Sequence, residues 1–306
     1  MHSLVLMSGI PLMLSLLINN LYNVVDSIFI SYVSEKALTA LSLAGPVQIF
    51  MGALGFANAV GIHATISRAL GRKDEKEVAE YASAGIWIGA AFWVLIALLS
   101  GVILKPYFLS QSGGDMEIAQ YGITYTRICM LGSIGVMGQW VFDRFTIASG
   151  KSVLFLITLS SGAITNIILD PIFIFALKMD VAGAAVATVL GQCVGAGVGI
   201  IVNKKLNREI PIRFTLKPEF GRVLEILKIG VPSGISQCLM SVMGMYVNSV
   251  LISFSSTTVA VYGICNRYSR LRPCLCTESI TVWCPSSRII TARGICSALT
   301  GRSNGH

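Results

Sequence analysis

Apolar residues in this chain come in runs of about 20, with no three-and-four spacing of an amphipathic surface helix, and such runs are long enough to cross about 30 Å of hydrocarbon. Seven runs cover 8–33, 38–66, 82–105, 119–143, 152–177, 181–202 and 224–254, and an eighth starts near Thr257. The pattern predicts an all-α polytopic membrane protein whose helices pack on one another in lipid. The first run, IPLMLSLLINNLYNVVDSIFISYV, carries a single charge, Asp26. The segment ahead of it lacks the basic start and small-residue cleavage site of a removable leader, so the first run is expected to stay as a helix.

The polar segments between runs give the topology. The loops after spans two, four and six hold most of the basic residues: Arg68, Arg72, Lys73 and Lys76, then Arg144 and Lys151, then Lys204, Lys205, Arg208, Arg213, Lys217 and Arg222. The alternate loops hold little beyond Lys36, Lys105 and Lys178. The positive-inside rule therefore puts the even-numbered loops and the N-terminus in the cytoplasm. The loop from Asn203 to Arg222, with Pro211 and Pro218, reads as a linker between two bundles. The sequence after it echoes the start of the chain: Val231-Pro232 answers Ile10-Pro11, and Asn248-Ser249-Val250-Leu251-Ile252-Ser253 answers Asp26-Ser27-Ile28-Phe29-Ile30-Ser31, with a one-residue gap. Six spans return the chain to the side it started from, which predicts parallel six-helix repeats, a transporter architecture. The expected divisions are a first lobe over 1–203, a cytoplasmic loop over 204–223 and the start of a second lobe over 224–267.

Composition sharpens this reading. The chain is 54% hydrophobic and 12% charged, about half the charged fraction of a soluble domain. Its net charge of +8 does not indicate nucleic acid, because the basic residues sit in the short loops. Cys129, Cys193 and Cys238 stand singly in apolar runs, where cysteine behaves as a small hydrophobe.

Ionisable groups at membrane depth are costly and point to function. Span one carries Asp26; span five carries Asn166 and Asp170, which share a helix face at i, i+4; span six carries Thr188. Two carboxylates, an amide and a hydroxyl form an all-oxygen set suited to Na⁺ or to a shared proton. The competing structural reading puts Asp26 at the interface, Asp170 at an outer helix end and Asn166 in an interhelical hydrogen bond. Arg127 is read as snorkelling or structurally paired, Asp143-Arg144 as a structural pair at a cytoplasmic helix end, and His63 as a packing residue. Gly183, Gly191, Gly195 and Gly199 let helices approach closely. They are no phosphate loop, since no Lys-Ser/Thr follows. The mixed-sign loop over 71–80 is read as a solvated surface.

Several ordered pieces resemble one family. They are Val25-Asp26 with Phe29; Ala44-Gly45-Pro46; Ser67-Arg68, Gly71, Asp74 and Ala79; Arg144, Gly150 and Lys151; and Asn166, Asp170-Pro171, Ile174-Phe175, Gly183-Ala184-Ala185 and Ala187-Thr188. Together, from about residue 8 to about 267, the sequence resembles the multidrug and toxic compound extrusion (MATE) family of secondary transporters. The resemblance implies a fold of two six-helix lobes, of which this chain holds the first and one to two helices of the second. It implies antiport in which Na⁺ or H⁺ entry drives export of small organic cations across the cell membrane, with no cofactor, no nucleic acid and no obligate protein partner. It also implies that Asp26, Asn166, Asp170 and Thr188 hold the coupling cation. Some members use an acid in span seven instead; here that span has only Glu225, at its start, so coupling is expected in the first lobe.

After Arg267 the composition shifts to five arginines, no lysine and four cysteines. The segment 268–306 is expected to be an out-of-frame tail. The spacing of Cys274, Cys276, Cys284 and Cys296 does not suit zinc. With under a third of a second lobe, no central cavity and no transport are expected from one chain alone. The alternative function is a lipid-linked or polysaccharide flippase, which would need Lys and Arg around its cavity. An intramembrane aspartyl protease is excluded, because its Gly-x-Gly-Asp signature is missing. The protein is thus expected to be no enzyme.

Overall fold

The computed structural model describes residues 2–207, 209–210 and 219–269. The tail after residue 269, with its four cysteines, lies outside the described residues, as do Arg208, Arg213 and Lys217. The helices are α1 His2–Ser31, α2 Glu35–Arg72, α3 Glu75–Gln111, α4 Met116–Leu131, α5 Ile134–Ala148, α6 Ser152–Pro171, α7 Asp180–Lys205, α8 Phe220–Ile252 and α9 Ser256–Ser269. A single π-helical turn, Ile172–Ala176, extends α6. Among the described residues six helices are long and apolar enough to span a membrane. The fold is all-α and polytopic, as its apolar runs predict.

Span four differs from expectation. It is two helices, α4 of 16 residues and α5 of 15, broken at Gly132-Ser133. The break follows from packing. A Cβ on Gly132 would lie 2.4 Å from the Val189 side chain of α7, so the chain runs against α7 here with no side chain between. The carbonyl of Leu131, freed by the break, accepts from the indole Nε1 of Trp93 at 3.0 Å. A helix end buried in hydrocarbon needs such a partner.

Turns between helices are closed by side-chain caps. Ser34 accepts from the Ala37 amide at 3.0 Å. Asp74 accepts from the amides of Lys76 and Glu77, and Asp115 from those of Glu117 and Ile118. Each satisfies amides that the first helical turn leaves without partners.

Helix α2 is the hub, touching α1, α3, α4, α5, α8 and α9. Pro46 has no N–H, so the Ser42 carbonyl one turn earlier loses its helical partner. Asn248 of α8 donates to that carbonyl at 3.3 Å, and Ser241 donates to the Pro46 carbonyl at 2.6 Å. Farther along the same seam the helices meet through small residues, Gly230 and Gly234 of α8 against Ala57 of α2.

At the end of the bundle rich in Lys and Arg, Arg222 of α8 pairs with Glu77 at 3.2 Å and Glu80 at 3.1 Å of α3. Its guanidinium lies 4.8 Å from the centre of the Tyr81 ring. Arg68 reaches Glu225 at 3.1 Å. The segment read as a plain solvated loop therefore helps to fasten α8. At the opposite end Lys36 bridges Asp115 at 3.0 Å and Glu117 at 2.7 Å, and Gln111 and Ser249 bond each other.

Candidate functional site

Close helix contact assembles the site. Gly162 of α6 and Gly191 of α7 face each other so tightly that a Cβ on either would lie within 3 Å of the other's carbonyl oxygen. This approach brings Thr188, one turn before Gly191, beside Asn166. The Asn166 amide donates to Asp170 Oδ1 at 3.3 Å and to Thr188 Oγ1 at 3.4 Å. Asp26 comes from α1, which packs along α6, and shares the wall of one cavity with Thr188. The structure thus brings together all four residues singled out in the sequence.

Their burial decides between the two sequence readings. Asp26 is 4% exposed, Asn166 2% and Asp170 0%. Both aspartates face the interior of the bundle and not its outer surface. Asn166 does make an interhelical bond, as the structural reading holds, but its Oδ1 and the Oδ2 of Asp170 are buried and accept no hydrogen bond. Each unused oxygen costs about 1–3 kcal/mol of lost hydration. Two ionised carboxylates in one site also repel each other, and a bound cation relieves that repulsion while giving the unused oxygens a partner.

Little in the sequence hints at the π turn beyond Pro171. That proline has no N–H for the Ile167 carbonyl, and the chain widens directly after it, the Leu177 amide reaching back five residues to Ile172 at 2.9 Å. Phe175 on this turn meets Phe29 of α1 edge to face, centroids 6.1 Å apart. Such turns are common at functional sites. Here one ties the helix that carries Asp26 to the end of the helix that carries Asp170.

A central cavity of about 380 Å³ lies between α1, α2, α4, α5, α7, α8 and α9. This overturns the expectation that one chain would form none: α8 and α9, lying against α2, supply part of its wall. Asp26, Thr188, Gln48, Tyr125, Trp140 and Asn248 are on its wall. Among the described residues that wall has one carboxylate, Asp26, and no Lys, Arg or His.

The remaining singled-out residues separate. Arg127 is exposed and His63 half-buried, in keeping with snorkelling and packing roles. Asp143 is not at a helix end; it is buried inside α5 and accepts from Thr158 Oγ1 at 2.6 Å. Among the described residues, no three of His, Cys, Asp and Glu converge as a metal centre.

Comparison with known proteins gives a consistent picture. The family model MatE matches residues 11–172. The multidrug export protein MepA of Staphylococcus haemolyticus (strain JCSC1435) is 31% identical over 264 residues, covering 84% of this chain and 57% of the relative. Among solved structures, that of the MATE multidrug transporter DinF-BH superposes with a TM-score of 0.84 at 26% identity, over 92% of this chain and 63% of that one. A MOP superfamily transporter from Pyrococcus furiosus, whose binding pocket is described as having reverse polarity that suggests a different function, gives 0.80 at 27% identity, over 91% of this chain and 62% of that one. The chain spans 57% of the length of the curated relative.

Proposed function

The chain belongs to the MatE family, and from that premise we propose that it works as the cation-binding lobe and substrate-facing wall of a multidrug exporter in the cell membrane. In this reading 1–203 form the first lobe, 204–223 a cytoplasmic loop and 224–267 the start of a second lobe. The basic end of the bundle, with the N-terminus, faces the cytoplasm.

Asp26, Asn166, Asp170 and Thr188 hold the coupling ion, Na⁺ or H⁺. The observation that carries this is the pair of buried oxygens on Asn166 and Asp170 that no donor satisfies. Asp26 alone belongs both to this set and, as a charge, to the wall of the central cavity. An organic cation in the cavity and an inorganic cation in the site therefore compete for one negative charge. That competition is antiport in its simplest form: ion entry neutralises Asp26 and the substrate loses its counter-charge. Binding also tightens α1 on α6 through Phe29 and Phe175, which moves the cavity wall. A cavity lined by one carboxylate and no base suits a cationic drug and disfavours the phosphate of a lipid-linked sugar.

The test is ethidium efflux from cells expressing the chain, beside Asp26→Asn and Asp170→Asn at equal membrane abundance. The expectation of no transport rested on a missing cavity; with a cavity present, lower dye accumulation than in cells without the chain, abolished by either substitution, is the outcome this reading requires. Efflux retained by both variants would sink the coupling assignment, and efflux from no form would sink transport by this length of chain.

A further inference from the structure

The central cavity has a polarity that the charge of Asp26 alone does not describe. Seven carboxamide side chains are on its wall, from α1, α2, α7, α8 and α9, and the rings of Tyr22, Tyr125, Trp140 and Tyr262 lie among them. One or two such groups are enough to join helices in lipid. Here they gather around one void of about 380 Å³, the size of a small-molecule site.

What this wall offers a ligand depends on where its protons go. In a helix a polar side chain can hand its proton to the carbonyl one turn back. Ser42 does so, its hydroxyl donating to the Leu38 carbonyl at 2.9 Å, and Asn23 donates to the Asn19 carbonyl at 2.7 Å. Asn248 donates to the Ser42 carbonyl, which Pro46 has freed, at 3.3 Å. Gln48 donates to the Tyr125 hydroxyl at 3.2 Å. Donors are thus turned on the protein at four positions of the wall. Ser42 has no second proton to give. A carbonyl only accepts, so the nitrogen of Asn248 stays on the backbone side of its amide. The ionised carboxylate of Asp26 is acceptor-only. The wall is poor in donors and rich in acceptors.

We propose that this cavity selects planar aromatic cations with amine N–H groups on their rim over peralkylated cations of the same ring and charge. Ser42, Gln48 and Asn248 accept from the rim while Asp26 takes the charge. The proposal rests on the reading of this cavity as the drug site given above. The aromatic side chains attract the face of either kind of cation, so they do not discriminate. The rim does. An N–H there meets an oxygen, whereas an N-methyl group leaves the same oxygen buried and unmet, and a site built to hydrogen-bond a ligand rejects the analogue that lacks the bond.

The experiment is equilibrium dialysis of proflavine and of acridine orange against the full chain in lipid nanodiscs, with binding to empty nanodiscs subtracted. Both dyes are acridinium monocations near neutral pH; acridine orange has N-methyl groups where proflavine has N–H. Acridine orange is the more lipophilic, so a cavity that binds through charge and apolar surface alone favours it. The expected result is the reverse, with proflavine tighter by about fivefold for each hydrogen bond gained. Ser42→Ala, which leaves the backbone of α2 its own bonds, and Gln48→Met, which keeps the length of the side chain, should each lower that preference about two- to fivefold. The loss should fall on proflavine and leave acridine orange unchanged. Asp26→Asn should weaken both dyes and keep their ratio. Acridine orange binding as tightly as proflavine, or more tightly, overturns the proposal. A preference that survives both Ser42→Ala and Gln48→Met overturns it too, as does binding of neither dye. A preference for proflavine lost in Ser42→Ala and Gln48→Met, with Asp26→Asn weakening neither dye, upholds it and overturns Asp26 as the counter-charge instead.

Discussion

Replacing Gly230 by alanine tests whether α8 is fastened to the first lobe by close contact with α2. A Cβ built on Gly230 falls 1.9 Å from the carbonyl oxygen of Ala57 and 2.7 Å from its carbonyl carbon. These are backbone atoms of α2, so no rotamer change relieves the contact. Carbon and oxygen approach to about 3.3 Å, and the helices must part locally by roughly 1.4 Å. A gap of even 0.5–1 Å forfeits about a quarter to a half of each dispersion contact it opens. Overpacking of this kind costs about 1–3 kcal/mol. Alanine returns about 0.8–1.0 kcal/mol through its better helix propensity, so the net loss is at most about 2 kcal/mol, and a clash with rigid backbone belongs at that upper end. Gly101 of α3 is the control: it is exposed, and nothing lies within 4 Å of its Cβ position. Gly101→Ala should be neutral or stabilising. The assay is the fraction of protein still monodisperse in detergent after heating. Gly230→Ala should aggregate at lower temperature than the unaltered chain, with Gly101→Ala at or above it. If the two variants behave alike, α8 does not depend on close contact with α2.

Three further outcomes follow from local geometry. Arg222→Ala removes ion pairs to Glu77 and Glu80 and the stack on Tyr81; with the side chain partly exposed, the loss should be about 1 kcal/mol. Heat stability at low salt should fall and the gap should narrow at high salt, and a gap that ignores salt counts against an ionic clamp. Phe29 and Phe175 meet edge to face, so a double-mutant cycle to leucine should give a coupling of about 0.5–1.5 kcal/mol in thermal stability; additive effects would mean that α1 is not held to the π turn by this pair. The hydrogen bond from Lys36 holds the Asp115 carboxyl below its usual range. A depressed carboxyl adds stability above its unfolded value, near ~3.9, and loses it only as pH falls through the lower folded value. The effect of Lys36→Ala on stability should therefore be flat from pH 8 to 5, and a cost that fades across that interval contradicts the pair.

Much of the fold can be read from the chain because lipid imposes one rule. Every spanning segment must satisfy its backbone internally, so length and hydropathy alone locate helices. Span four is the instructive failure. Its apolar run is long enough, but Gly132-Ser133 breaks it where α7 comes too close for a side chain. Hydropathy records transfer from water to lipid and is blind to a contact with Val189, which lies 57 residues away in the chain. Likewise the acids of the loop over 71–80 look merely solvated until Arg222, far along the chain, is seen beside them.

The candidate site divides along the same line. Asp26 and Asp170 stand out because a carboxylate in a long apolar run has few innocent explanations. Asn166 joins them through the i, i+4 rule. Asp143 is just as buried, yet the sequence hides it: it adjoins Arg144 near the end of an apolar run, where a charged pair looks ordinary. Only the break in span four shifts it inward, because α5 starts afresh at Ile134 and packs on α6 and α7 as a separate helix. A buried polar group is then informative in proportion to what its neighbours leave unmet. Thr158 meets one oxygen of Asp143, Asn166 meets one of Asp170, and the Asn166 amide leaves its own oxygen unpaired. The unmet acceptors, Asn166 Oδ1 and Asp170 Oδ2, lie one helical turn apart on α6. A lobe that needed these polar groups only to join its helices would pair them off; this one leaves two neighbouring buried oxygens that a cation can use.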